Sequence, residues 1–488
     1  MSWTPNSAQR GRVKGSFTAS QGGCSQSPQG IPKRGVAHWK HDCRSKLQEV
    51  FVEDDCSVNH LPFLLQPSSC QVWVQAVARA LYQAGYGSIQ FFIPLIFVNQ
   101  IGLSATAVGI GIGSGSLAGF VGHFLGGYLA DSRTYGRKRT LLFSAVLSIM
   151  AALILAVTQN LPHLAIANLI MGLSAGCYWT AADAAVIDVT APTQRHKAFA
   201  VLVLADSLGA GFGIWGGGIL LSQANQSQTL FFVDSFILLM FLVLIQVAIP
   251  ETRQDNPEHS DTLQKFVVAL NDRSLRLFVL VNILFTTYVA VVSSVLPLYF
   301  TNIVAASVSD ATTEAGASLS RVTNLFTWCY VGFGAVLQLP LAQVLGSLLK
   351  VQVLMISMLL WGGGFFLVWA TGMVASTQLI YIIIAALCVL SIASAIYKPF
   401  APAVIAELAP ESLRGVYLAI SYQCWSVGYF IGPVLGGWAM DQSRMIAHHS
   451  WIVAAISTIC GLIILRVLSQ SQFSTPSAPV IEDTVSVT

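Results

Sequence analysis

The chain has 488 residues, 54% of them hydrophobic and 10% charged. Soluble domains run at about 25% charged, so too few charges are present to cover a water-facing surface, and a soluble globular protein is excluded. The net charge of +3 says little by itself; no nucleic-acid partner is expected.

Residues 1–70 read as a disordered polar tail, rich in Ser, Gln and Gly, without the apolar run of a signal peptide. Apolar blocks follow, each of about 20 residues, enough to cross a hydrocarbon core about 30 Å thick as helix. Strand alternation is absent, so helices rather than a barrel satisfy the backbone in lipid. The predicted spans are 72–98, 107–130, 140–158, 161–187, 198–221 and 230–249, then 277–300, 321–345, 350–371, 376–405, 415–438 and 451–468. They divide the chain into an N-terminal six-helix bundle (71–250), a cytoplasmic linker (251–276), a C-terminal six-helix bundle (277–470) and a second disordered tail (471–488).

Lys and Arg accumulate on the cytoplasmic side of spanning segments. With the N-terminus inside, the inner joints carry twelve: Arg133, Arg137, Lys138, Arg139, Arg195, Lys197, Arg253, Lys265, Arg273, Arg276, Lys350 and Arg414. The outer joints carry two, Arg321 and Arg444. The bias predicts an even number of spans and two cytoplasmic termini. The nine cysteines show no metal-binding spacing and no disulfide framework, so neither a metal nor a cofactor is expected. Asn225 begins a glycosylation sequon in a predicted outer loop.

An internal repeat organises the spans. AVIDVTAP (185–192) leads through Arg195 to Gly209, Gly213, Gly217 and Gly218. AVIAELAP (403–410) leads through Arg414 to Gly428, Gly432, Gly436 and Gly437, with the arginine and all four glycines offset by 219 residues. Glycines four apart on one face let helices approach closely. Six spans per unit make the repeat parallel. The fold class is therefore an all-α integral membrane protein, twelve transmembrane helices in two six-helix bundles related by a parallel pseudo-two-fold repeat.

Ionisable residues inside spans are costly and usually functional. The candidates for a substrate or proton site are Asp183, Asp206, Lys398 and Arg79. Asp183 sits beside Tyr178 and Trp179 and is the favoured site; Asp206 either lines a cavity or partners Arg79 or His123. Lys398 precedes Pro399, which disfavours helical geometry and suggests a broken helix. Arg79 is a site residue, or an interfacial anchor if the first span starts later. Asp234 is expected to be wet, near the outer end of span six. His123 is expected to be satisfied between helices. Asp188 lies about 140° round the helix from Asp183, so the two acids have different roles.

The joint from Gly126 to Arg139, GGYLADSRTYGRKR, resembles the loop signature of the major facilitator superfamily, through Gly127, Asp131, Gly136, Arg137 and Lys138. The resemblance covers roughly residues 72–468. It implies that this loop latches the inward face shut, with Asp131 near the N-terminus of span eleven and Asp188 paired with a loop arginine. Span eleven, with Gly428, Gly432, Pro433, Gly436 and Gly437, is similar to the glycine-proline motif that the family's antiporters carry in span five. Span five has Ile214 in place of that proline, and Asn168 stands where proton-coupled members often have arginine.

The chain most resembles the family's proton-coupled drug-efflux (drug:H+ antiporter) branch. That resemblance implies alternating access, a small-molecule substrate, protons as coupling ion, a monomer in the plasma (inner) membrane and no enzymatic activity. Trp328, Tyr330, Tyr288 and Trp425 are candidate cavity walls. The alternatives are an uptake transporter for a metabolite or sugar, and a nontransporting receptor or scaffold with the same fold. A membrane-embedded enzyme would show clustered His, Asp or Glu, and the nine His are dispersed. Gly172-Leu-Ser-Ala-Gly176 fits a nucleophile-elbow pattern but lies in a predicted span without a strand-to-helix turn, and no GxxxxGK[ST] loop is present.

Overall fold

The computed structural model describes residues 70–191, 194–223, 228–252, 262–304, 321–373, 376–410 and 413–473. Both predicted tails lie outside these residues, except Cys70 and 471–473, and so does Asn225. The described residues form helices, with no strand among them. The first six spans are α1 (Cys70–Asn99), α2 (Ala105–Asp131), α3 (Gly136–Val157), α4 (Leu161–Val189), α5 (Arg195–Gln223) and α6 (Gln228–Ala248). A short helix α7 (Thr262–Asn271) stands in the predicted linker, ahead of α8 (Arg273–Ser294). The seventh span continues through α9 (Leu296–Tyr299) into a π-helical turn, Phe300–Val304. The eighth span is Arg321–Leu345. It contains a second π segment, Phe326–Gly332, followed by α10 (Phe333–Leu345). The last four spans are α11 (Lys350–Ala370), α12 (Ser376–Leu408), α13 (Arg414–Asp441) and α14 (Arg444–Phe473).

Eleven of these helices are long and apolar enough to cross a bilayer. The twelfth, α13, has 28 residues and lies outside those eleven. It packs against both α2 and α8.

Local chemistry sets several helix ends. The Ser104 side chain accepts from Ala107 N at the start of α2, and Asn160 from His163 N at the start of α4, where Pro162 occupies the first turn. Asp272 caps α8 by accepting from Ser274 N. The seventh span therefore begins at Arg273 rather than at the predicted 277.

Small residues set how closely the helices pack. The motif glycines of α5 lie on α1: a Cβ on Gly209 or Gly213 would collide with the Ala80 or Ala84 carbonyl, and one on Gly217 with the Phe92 ring. In α13 the equivalents lie on the seventh span, Gly428 against Thr286, Gly432 against Ala290 and Gly436 against Val295. The fourth glycine of each set reaches into the opposite half, Gly218 to Thr323 and Gly437 to the Ala105 carbonyl.

A glycine ladder outside the predicted motif joins α2 to α4. Gly115, Gly119, Gly122 and Gly126 of α2 lie against the Asn168, Gly172, Leu173 and Cys177 backbone. The stretch resembling a nucleophile elbow is thus a packing surface, with Gly172 and Gly176 facing Gly115 and Gly119.

α12 runs unbroken through Lys398, Pro399 and Pro402, which corrects the expected helix break. Proline removes the bond to the carbonyl four residues earlier. The Ala395 and Lys398 carbonyls have therefore lost their helical partners while the helix stays intact.

A Cβ on Gly172 would overlap the Gly115 carbonyl. Overpacking costs typically about 1–3 kcal/mol, more where backbone is struck. Gly172→Val should separate α2 from α4 and give an aggregated or early-melting protein by size exclusion in detergent. A monodisperse variant with unchanged melting would contradict this packing.

Candidate functional site

α1 carries Arg79, whose side chain is only 9% exposed. Its Nε donates to Asp206 Oδ1 (2.8 Å) and Oδ2 (3.0 Å) on α5. Its Nη1 donates to Asp183 Oδ1 on α4 at 2.8 Å. The guanidinium carbon lies 4.6 Å from the Trp179 ring centroid, within the range of a cation–π contact. Arg79 is thus no interfacial anchor: it is a buried cation shared by two carboxylates. The acids also lie together, because one arginine satisfies both.

The second half reaches this site through two side chains. Tyr422 of α13 donates to Asp183 Oδ2 at 3.2 Å. Lys398 of α12 lies within electrostatic reach of Asp206. The Lys398 side chain is exposed. With Lys398 included, the four charged groups balance.

Aromatic clusters stand in both halves, with Trp179 on the Arg79 guanidinium. Tyr82 stacks on Tyr178 with centroids 3.6 Å apart and on Tyr86 at 5.4 Å. From the other half come Tyr397, Trp425 and Tyr429, consecutive rings 6.2 and 5.9 Å apart. Trp425 and Tyr330 are partly buried against the core, whereas Trp328 is 65% exposed. Tyr288 packs on Trp361 and Phe365, with its hydroxyl on Ser457, away from Arg79. His123 contacts Thr180 at 3.3 Å and stacks near Tyr422. Asp234, expected to be wet, is 2% exposed, because α6 packs that face on α1 beside Gly85 and Ser88.

A second charged cluster holds the loop around Gly136. Arg137 donates from Nη1 to Asp131 (2.5 Å) and from Nε to Asp188 (3.1 Å). Thr252 also donates to Asp188. Gly136 has φ +75°. That turn aims the first amides of α3 at Glu251, whose carboxylate accepts from Arg137 N (2.7 Å) and Lys138 N (3.1 Å). Lys138 Nζ donates to the Gln246 carbonyl. A Cβ on Gly127 would meet Thr180 only at ordinary contact distance, 3.7 Å. Among the described residues, Asp131 forms no hydrogen bond or ion pair with α13. Arg137 takes its carboxylate instead, within one half. The second half repeats part of the cluster: Lys350, at the start of α11, pairs with Glu407, next to Ala406, which matches Asp188 in the aligned AVIDVTAP and AVIAELAP segments.

The opposite face is closed by contacts between the halves. Asp441, the last residue of α13, accepts from Ala105 N (2.8 Å), Thr106 N (2.7 Å) and Thr106 Oγ1 (2.5 Å) on α2. Asn302 Nδ2 donates to Asn99 Oδ1 at 2.7 Å. Sequence reasoning missed Tyr422, Glu251 and Asp441.

Two helical bundles meeting around buried charges within their spans fit a membrane transporter. The profile of the Major Facilitator Superfamily matches residues 76–316 and 290–482, and the chain belongs to that family. Multidrug resistance protein MdtH of Salmonella typhimurium is 24% identical over 379 residues, 75% of this chain and 87% of that protein. The uncharacterized MFS-type transporter YttB of Bacillus subtilis is 22% identical over 348 residues, 70% of this chain and 82% of its own length. Among solved structures, the nucleoside transporter NupG superposes with a TM-score of 0.67 at 11% identity, covering 82% of this chain and 99% of that one. A variant of the peptide transporter POT in complex with sulfate gives 0.70 at 12%, covering 88% and 98%. At these identities the structures establish a common fold.

At Gly136 an added Cβ would lie 2.5 Å from Glu251 Oε2, and φ is positive. L-residues pay about 1–2 kcal/mol in that region, so Gly136→Ala should lower the melting temperature and loosen the Glu251 clasp. Unchanged melting would show that the clasp tolerates another backbone geometry.

Proposed function

We propose that this chain is a proton-coupled secondary transporter that exports small amphipathic or drug-like molecules by alternating access. The observation that carries this reading is the Arg79 network, in which Asp183 is held at once by a cation of its own half and by Tyr422 of the other. Protonation of Asp183 or Asp206 weakens its hold on Arg79. A cationic substrate competes with Arg79 for the same carboxylates, so proton and substrate exclude each other. The aromatic walls suit an amphipathic guest, and the likeness to MdtH supports export.

The Gly136 face is cytoplasmic by the positive-inside distribution, with both termini on that side. Among the described residues Asp131 is held by Arg137 of its own half while Asp441 is engaged opposite, which supports an inward-facing conformation. One chain supplies both halves of the pathway and acts as a monomer in the plasma (inner) membrane.

One observation favours a second reading. Lys398 is exposed and has no hydrogen-bond partner among the described residues, which would suit an anionic group on a metabolite taken up into the cell.

The test is a panel of lipophilic cations added to energised everted vesicles carrying a pH-sensitive dye. Wild type should release protons on substrate addition, and Asp183→Asn should not. Release by both proteins would remove Asp183 from the path. No release by correctly inserted wild type would overturn cation export and leave metabolite uptake or a nontransporting role.

A further inference from the structure

We propose that Asp441 is the latch of the face opposite Gly136: it holds the two halves together by capping the N-terminus of α2, and its release opens the transport pathway to that side. This rests on the reading that the chain alternates access.

An acid at the last residue of a helix is disfavoured by its own helix, whose C-terminal end is negative. Asp441 is such a residue, with α13 contributing no compensating cation in its last turn. Its carboxylate instead meets the positive end of α2. Ala107 N is satisfied by the Ser104 side chain and Val108 N by the Ser104 carbonyl. The two remaining first-turn donors, Ala105 N and Thr106 N, both go to Asp441. The cap of α2 is thus complete only while the halves touch.

The surrounding seam has the closeness a latch needs. A Cβ on Gly437 would strike the Ala105 carbonyl, and one on Gly109 the Pro433 carbonyl. Deeper along the seam, Gly113 lies against Phe430 and Val434. The bond between Asn99 and Asn302 closes the same face.

The internal repeat shows that this clasp is one-sided. The pair Gly437 and Ala105 has its counterpart in Gly218 and Thr323, between α5 and the eighth span. At the 219-residue offset, Asp441 corresponds to Ser222, which among the described residues bonds to Ile219 of its own helix. Asp441 supplies the one carboxylate clasp seen at this pair of seams among the described residues. Because Asp441 is exposed, salt and water compete for the clasp.

The test uses the full-length protein in proteoliposomes, with native cysteines replaced in a version that still transports. Val434→Cys, inside the seam, is labelled with a membrane-impermeant maleimide applied to the Asp441 face. Asp441→Asn should raise the labelling rate about five- to tenfold, and Asp441→Glu should restore much of the protection. High salt should speed labelling with Asp441 present and change little in Asp441→Asn. Equal labelling with and without the Asp441→Asn substitution would overturn the latch if substrate still changes the rate in both, leaving alternating access intact. If substrate changes labelling on neither face, alternating access itself fails and the latch with it.

Discussion

Burying a guanidinium between helices is unfavourable unless opposite charge and hydrogen bonds meet it. Arg79 meets this condition only because α1, α4 and α5 converge. Asp206 takes its Nε through both carboxylate oxygens, Asp183 takes Nη1, and Trp179 covers the face of the ion. The convergence depends in turn on glycine. Just beyond Arg79, Ala80 and Ala84 lie directly on Gly209 and Gly213, and a larger side chain there would draw Asp206 away. Close packing and charge pairing at this level of the membrane are one constraint.

The repeat makes the asymmetry of the site informative. Ala84 and Ala290 occupy equivalent places against Gly213 and Gly432, which sets Phe285 opposite Arg79. At the 219-residue offset, Asp183 corresponds to Pro402 and Asp206 to Trp425. The second half thus carries an aromatic and apolar version of the same corner, in which Phe285 stacks on Tyr397 at 4.6 Å, much as Tyr82 stacks on Tyr178. The scaffold is duplicated, whereas both carboxylates and the arginine stand in the first half. The second half contributes single polar groups, Tyr422 and Lys398. The basic-to-acidic pairing at the Gly136 face is duplicated more faithfully, as Arg137 with Asp188 and Lys350 with Glu407.

The spans were legible because runs of about 20 apolar residues match the thickness of a bilayer and little else. α13 was legible through its repeat although it lies outside the eleven helices long and apolar enough to cross a bilayer. Single charges were legible because lipid makes them conspicuous. Of their pairings, Arg79 with Asp206 was one of the alternatives the sequence offered; those joining Asp183 to Arg79 and to Tyr422, across 104 and 239 residues, were not. Glu251 looked like an ordinary linker acid, and its role depends on the positive φ of Gly136. Asp441 did carry a signal, an acid at the wrong end of a helix. The expected break at Lys398 failed because a local pre-proline preference is weaker than the packing of a 33-residue helix against α11. The glycines of α2 had visible spacing, but nothing in that spacing names α4 as their partner.

The shared cation is the centre of this account, and a double-mutant cycle on it is the most direct test. Unfolding free energies of Arg79→Met, Asp206→Asn and the combined variant would be measured in detergent. Arg79→Met leaves two buried carboxylates facing each other and should cost about 3–5 kcal/mol. Adding Asp206→Asn should recover part of that loss, with a coupling of about 1–3 kcal/mol. Strictly additive losses would contradict a shared buried cation and leave Arg79 and Asp206 as neighbours without a common charge balance.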